Sequence, residues 1–343
     1  MNIIRELEKK IFTQNPRPLV KRKENFFEKR KILINKKFYT YNYSFGKLNP
    51  DKTFYVIRRS PGAGLFSNLT YVLNHLKVAK ENNFIPFIDM EEYPTIYNEK
   101  NKIRDTLNAW EYYFENTSKF TLNEIYKSKN VIITENIFYN FFSKWMDQDE
   151  DLIKILKEEI KFKKNILRTY NFIKKKIFKN KKILGIHFRG TSYKTSPGHP
   201  LPATKKQVFN LVKKVLENNK IDFIFLSTEE ENYKNFLSNK FRGKIFYLKS
   251  SYRSNKNVAF ERYPRRCHRY KLGREILIES LLLSCSDYFI FTDSNVSSFV
   301  KAIKIKPDQK IYKIDNGYNS LNKFICMWLW YYKSIMPRFL GGF

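Results

Sequence analysis

The segment Gly185–Ile186–His187–Phe188–Arg189–Gly190–Thr191 holds the densest chemistry in this chain. A buried apolar strand runs into a histidine, an arginine and a glycine. In open α/β sheets ligands bind outside the carboxyl ends of the strands, where such residues stand. Arg189 offers a permanent charge and a two-pronged donor fork that fits a diphosphate, or else it closes the strand end in an ion pair. Ser192 to Pro200 then form a polar loop stiffened by Pro197, Gly198 and Pro200. Imidazole titrates near neutral pH, so His199 in this loop is a candidate general base, the bland alternative being a loop histidine without a role.

Three further segments carry chemistry at strand ends. Pro61–Gly62–Ala63–Gly64 lies between a strand and a helix, with Asn68 in the first helical turn. Glycine tolerates close backbone approach, and the helix start presents unpaired N–H groups. The third glycine of the dinucleotide fingerprint is missing, so the loop reads either as a tight turn or as a ligand contact. In Ser227–Thr228–Glu229–Glu230, Thr228 is a natural N-cap. Glu229 is either a first-turn acid favoured by the helix dipole or an acceptor for a nucleoside. In Thr292–Asp293–Ser294–Asn295–Val296–Ser297–Ser298, Ser297 and Ser298 are expected to open a helix whose hydroxyls and amides suit a phosphate. Asp147-x-Asp149 reads as a solvated helix cap rather than a metal site. Asp89, Glu91 and Glu92 are second-choice bases after His199.

The elements that must position these residues alternate. Strands are expected at 54–57, 84–90 and 130–134, with a helix over 66–81 between the first two. A second series of strands is expected at 183–188, 221–226, 245–248, 288–291 and 311–314. Helices over 204–218, 229–237, 272–284 and 297–304 fill its gaps, a pattern that implies parallel, doubly wound sheets. Residues 37–43 look strand-like, and 149–179 read as one long basic helix connecting two domains. The expected domains are 1–165, 166–320, and an aromatic and basic helix at 321–343, packed on the N-terminal domain or on a membrane surface.

Lys and Arg number 65 against 33 acids, a formal charge of +32 in 343 residues. Nucleic acid is one partner for such an excess, but no RRM, KH, helix-turn-helix or zinc signature accompanies it. Glycine is only 11 residues while Lys, Asn, Ile, Phe and Tyr abound, so biased coding accounts for most of the charge. The rest suits diphosphates and anionic lipid. Three cysteines make no paired framework and no metal spacing, and they fit a reducing compartment. No secretory signal and no transmembrane helix are expected.

The His187-x-Arg189 strand end resembles the HxR motif of the fucosyltransferase superfamily, which includes α-1,6-, α-1,2- and protein O-fucosyltransferases. The Gly62-x-Gly64 loop is similar to that group's N-terminal glycine loop. Leu226–Ser227–Thr228–Glu229 resembles its (A/S)TDD-like segment, and Ser294 to Phe299 its serine-containing phosphate-binding segment. The four follow in the family's order over about residues 54–317. Two departures are visible. Gly190 and Ser192 replace a second arginine and an aspartate of the common HxRRTD form, and Pro197 stands where some members carry a glutamate base.

The resemblance implies an α/β chain of GT-B fold, two Rossmann-like domains facing each other across a cleft. It also implies an inverting transferase without metal or other cofactor that moves fucose or a related deoxyhexose from a GDP-sugar. Carried over by motif, Arg189 would hold the β-phosphate and His187 would contact the nucleotide. Gly190 and Thr191 complete that loop. Ser297 and Ser298 would bind the diphosphate beside Thr292, Asp293 and Ser294, and Thr228 and Glu229 would line the nucleoside pocket. Gly62, Gly64 and Asn68 would contact substrate, and His199 would be the base. The expected partners are the GDP-sugar and a glycan acceptor, lipid-linked in one version, with no nucleic acid. The expected setting is bacterial surface-polysaccharide synthesis in the cytoplasm, at the inner face of the membrane. A different nucleotide-sugar donor and a nucleic-acid-binding role are the alternatives.

Overall fold

The computed structural model describes residues 25–35, 38–58, 64–91, 95–134, 145–254 and 264–343. The described residues up to Leu167, together with Pro264–Gly273, form one compact unit; 168–254 and 274–343 form the other.

In the N-terminal unit, β1 (Glu28–Ile34) and β2 (Phe38–Ser44) pair antiparallel, and β2 pairs antiparallel with β5 (Ser128–Ile133). β5 and β4 (Ile85–Ile88) flank β3 (Leu48–Ile57) in parallel, giving the order β1-β2-β5-β3-β4. Phe54 to Ile57 are fully buried, as a strand covered on both faces requires. α1 (Leu65–Glu81) makes the β3-to-β4 crossover and buries Leu69, Val72, Leu73 and Leu76. β1 has no sequence signal because it begins Glu-Lys-Arg-Lys. As an edge strand it keeps that charge in water, which discourages pairing with further strands.

The long helix expected over 149–179 is broken. α2 (Glu150–Glu159) starts on the Asp149 side chain, which accepts from the Asp151 and Leu152 amides at 3.0 and 3.2 Å. Residues 160–163 then run extended, with Glu115 N bonded to Lys161 O and Lys163 N to Tyr113 O. Helix resumes as α3 (Lys164–Ile173) and ends in a π turn, Lys174–Phe178. Pairing with a distant segment outweighs local helix propensity here.

The C-terminal unit is a wholly parallel sheet of β6 (Ile183–His187), β7 (Phe223–Ser227), β8 (Ile245–Phe246), β9 (Tyr288–Phe291) and β10 (Lys310–Lys313). Their order, β10-β9-β6-β7-β8, is that of the doubly wound dinucleotide-binding fold. α4 (Lys205–Asn218), α5 (Glu231–Lys240), α6 (His268–Leu283) and α7 (Asn295–Ile303) fill the crossovers. Leu184, Ile186, Ile224, Leu226 and Ile290 form the core with Val208, Val212 and Leu237. Gly185 sits mid-strand because a Cβ there would lie 2.5 Å from Ser286 Oγ. α8 (Cys326–Ile335) packs within this unit, with Trp330 Nε1 donating to Pro202 O at 2.8 Å.

Candidate active site

β6 is paired so that His187 stands level with Ser227 of β7 and Phe291 of β9. Three strand ends therefore coincide, and the loops leaving them start side by side at the β6/β9 switch in strand order, where doubly wound sheets open a crevice. His187, Arg189, Gly190 and Thr191 leave from the first strand, Thr228 and Glu229 from the second, and Thr292, Asp293 and Ser294 from the third.

Glu229 ties the first two loops together. Its Oε1 accepts from Arg189 Nη1 at 2.9 Å, Gly190 N at 2.9 Å and Thr191 Oγ1 at 3.0 Å. Burial acts to raise the Glu229 pKa. The charges of Arg189 and His187 and the Gly190 amide outweigh it and hold the carboxyl below its usual range. The Arg189 guanidinium also lies 4.4 Å from the Tyr193 ring centre. Glu230, to which no sequence motif assigns a role, receives Thr191 N and, at 2.6 Å, Lys194 Nζ. Gly190 makes this possible: a Cβ there would stand 2.2 Å from Glu230 Oε1 and 2.8 Å from Tyr233 Cε2. Twin acids directly after a strand end, opposite an arginine, were the available signal.

Two expected caps are corrected. α5 begins at Glu231 with Glu230 as its N-cap, so Glu229 precedes the helix. Thr228 does not cap it; its hydroxyl donates to Phe188 O at 2.8 Å and accepts from Glu230 N at 3.2 Å, joining the β6 and β7 loops. α7 opens at Asn295, with Ser294 as N-cap, not at Ser297 and Ser298. Ser297 is the third helical residue and completes a capping box. Its amide donates to Ser294 Oγ at 3.1 Å and its hydroxyl to Thr292 O at 3.1 Å. Ser298 is buried in the same turn, and Asp293 is ion-paired with Lys313 at 2.6 Å.

His187 is 3% exposed and its Nδ1 has no hydrogen-bond partner. Burial pulls its pKa down to about 4, opposed by Glu229 and reinforced by Arg189. The folded state thus takes up its proton only near pH 4, whereas an unfolded histidine does so near 6.5. The unfolded state therefore binds more protons in between, and this contribution to stability is lost as pH falls from 6.5 towards 4. The expected loss is roughly 3 kcal/mol. It is read as a Tm that drops through this window more steeply in the wild type than in His187→Asn. Parallel pH profiles would refute it.

His199 is exposed, with Nδ1 2.9 Å from Pro197 O. A carbonyl only accepts, so Nδ1 carries the proton and Nε2 keeps the basic lone pair. Its ring meets Tyr193 edge-on at 4.9 Å, so Arg189 and His199 touch the same tyrosine.

In the N-terminal unit, Gly64 is the α1 N-cap and accepts from Asn68 N at 3.0 Å; Gly62 lies outside the described residues, as does Glu92. Arg58 is buried against Asp89 at 2.9 Å and also donates to the Tyr126 hydroxyl. Asp89 is thus a structural counter-ion, and its other oxygen accepts from Glu91 N. The sequence also gave no hint of a buried polar cluster at the foot of α6, where Glu279 receives Ser227 Oγ and Ser251 Oγ, each at 2.6 Å. Burial raises the Glu279 pKa against the pull of Arg253, 3.6 Å away. Among the described residues no group of three or more His, Cys, Asp and Glu is arranged to hold a metal ion.

Set against solved structures, the chain matches an alpha-1,6-fucosyltransferase, NodZ, co-crystallised with GDP. The TM-score is 0.51 and the identity 16%, over 77% of this chain and 96% of that one. It matches fucosyltransferase NodZ from Bradyrhizobium at TM-score 0.51 and 15% identity, over 79% of this chain and 99% of that one. The chain shares the fold of these fucosyltransferases. No protein-family model matches it, and no curated protein matches its sequence. The fold class expected from the resemblance, α/β of GT-B type with two Rossmann-like units, is the one found. Among the described residues no helix is long and apolar enough to cross a membrane.

Proposed function

We propose that this protein is an inverting glycosyltransferase that moves fucose, or a related deoxyhexose, from a GDP-sugar to a glycan acceptor in bacterial surface-polysaccharide synthesis. The observation that carries the proposal is the His187–Thr191 loop. It sets an arginine at the carboxyl end of β6, level with the ends of β7 and β9, in a fold shared with a fucosyltransferase crystallised with GDP. In the reaction the acceptor oxygen attacks the sugar C1 as the bond from C1 to the β-phosphate oxygen breaks. GDP leaves with the electron pair. Arg189 and the amides at the start of α7 stabilise the charge growing on the diphosphate without a metal ion. Nε2 of His199 takes the acceptor proton. Glu229 and Thr228 shape the nucleoside side, and the unpartnered Nδ1 of His187 hydrogen-bonds the nucleotide.

The same proposal places the protein in the cytoplasm, at the inner membrane face, acting on a lipid-linked acceptor. Leu321, Phe324, Trp328, Ile335 and Phe339 stand exposed beside Lys323 and Arg338, a mixture that suits the headgroup region.

A two-armed experiment tests this. GDP and GDP-fucose are expected to raise Tm, since a ligand of the native state stabilises by about 2.7 kcal/mol at 100 times its Kd. UDP and CMP should leave Tm unchanged, and stabilisation by UDP alone would overturn the donor. In the second arm, vesicles containing phosphatidylglycerol should pellet the protein, and Trp328→Ser with Phe339→Ser should reduce that. Equal pelleting of both proteins would remove the tail from the membrane reading.

A further inference from the structure

A groove of about 1250 Å³ lies wholly within the C-terminal unit, between the start of α4, α5 and the C-terminal tail. Its wall carries Lys194, Lys205, Lys206, Lys214 and Arg338, and among the described residues the one acidic side chain that lines it is Glu230, already held by Lys194. Among the described residues no carboxylate lies within ion-pair distance of Lys205, Lys206, Lys214 or Arg338.

Two independent features mark the groove as built for an anion. Tyr233, on its wall, is 3% exposed, stacks on Phe188 with ring centres 3.8 Å apart, and has a hydroxyl without a hydrogen-bond partner. A buried phenol without a partner is costly unless a ligand supplies one. Burial drives the pKa of that phenol up, so it stays protonated and offers a hydrogen-bond donor. Secondly, α4 has fourteen residues and starts with Lys205 and Lys206, with no acid in its first turn. The helix dipole places partial positive charge there and favours acids, so two lysines at this end repel it. A local conflict of this kind is expected where a ligand resolves it.

We propose that the groove is a second anion site, beside the nucleotide loops, that holds a phosphate or diphosphate ester. Resting on the glycosyl-transfer reading, that ester belongs to the acceptor. Glu230 joins the two sites, since the carboxylate that anchors Thr191 also forms the groove wall.

The test is calorimetry with inorganic pyrophosphate on the full chain saturated with GDP, at 0.15 M salt so that diffuse attraction is screened. One saturable site is expected. Lys205→Glu with Lys206→Glu should weaken it at least tenfold, and Tyr233→Phe by about threefold to tenfold, the loss of one hydrogen bond. The Tm of each variant reports its folding. Lys175→Glu with Lys176→Glu, an equal charge change on the exposed π turn, should leave affinity unchanged. Absence of saturable binding, equal weakening by the control pair, or loss of the site on adding GDP would each overturn the proposal. If GDP fails to bind, the transferase reading falls while the pyrophosphate result still stands. The source of the ester is read with vesicles of phosphatidylglycerol and phosphatidylcholine. Pyrophosphate that displaces the protein from them identifies a lipid-borne ester, and indifference identifies a soluble one.

Discussion

Arg189→Ala is expected to lower the proposed turnover of GDP-fucose by about 10²–10³-fold, the usual cost of removing one preorganised donor from a developing oxyanion. The effect should fall on kcat more than on KM, because the charge on the diphosphate grows only as the C1–oxygen bond breaks. Arg189→Lys should recover little. The ammonium keeps the charge but not the planar fork, and it cannot lie over Tyr193 as the guanidinium does at 4.4 Å. Glu229→Gln gives the complementary measurement. It removes the carboxylate that Arg189 grips at 2.9 Å and leaves the arginine in place. If Glu229 only positions the arginine, this variant should keep measurable turnover. Arg189→Ala with wild-type kcat would refute the assignment.

Asp89→Ala is the change with the largest expected cost in stability. Arg58 is 3% exposed and Asp89 fully buried, so removing the acid leaves an uncompensated charge in the core. Breaking such a pair costs about 3–5 kcal/mol, a Tm drop of roughly 6–20 °C for a unit of this size. Arg58→Met with Asp89→Leu should be less destabilised than Asp89→Ala, since neither charge then remains. A single variant that melts within a degree of the wild type would refute the buried pair. It would also return Asp89 to the candidate bases, among which its place at a strand end puts it.

The strand ends were legible because parallel strands covered on both faces read as unbroken apolar runs, and Ile183–His187 and Tyr288–Phe291 are two of these. β1 was illegible because its first four residues are charged and an edge strand needs no apolar face there. The helix break at 160–163 was hidden as well. Its partner, 113–115, is nearly fifty residues earlier, and local propensity carries no record of such pairing. The two helix starts differ from expectation by two residues each, for a local reason. Thr228 and Ser297 have hydroxyls that can cap, but each bonds a carbonyl that only the folded loop brings near.

By itself the sequence determined that the chain is α/β and that an arginine, Arg189, follows the apolar strand ending at His187. Periodicity, residue type and the few glycines are properties of the chain read in order. Only the tertiary structure decided which groups meet. Glu229 closes on Arg189 across 40 residues, Glu279 on Ser227 across 52, and Arg58 on Asp89 across 31. The physical reason is that a carboxylate has much the same local preferences whether it caps, pairs or waits for substrate. Burial and the charge opposite it separate those roles, and both are created by folding.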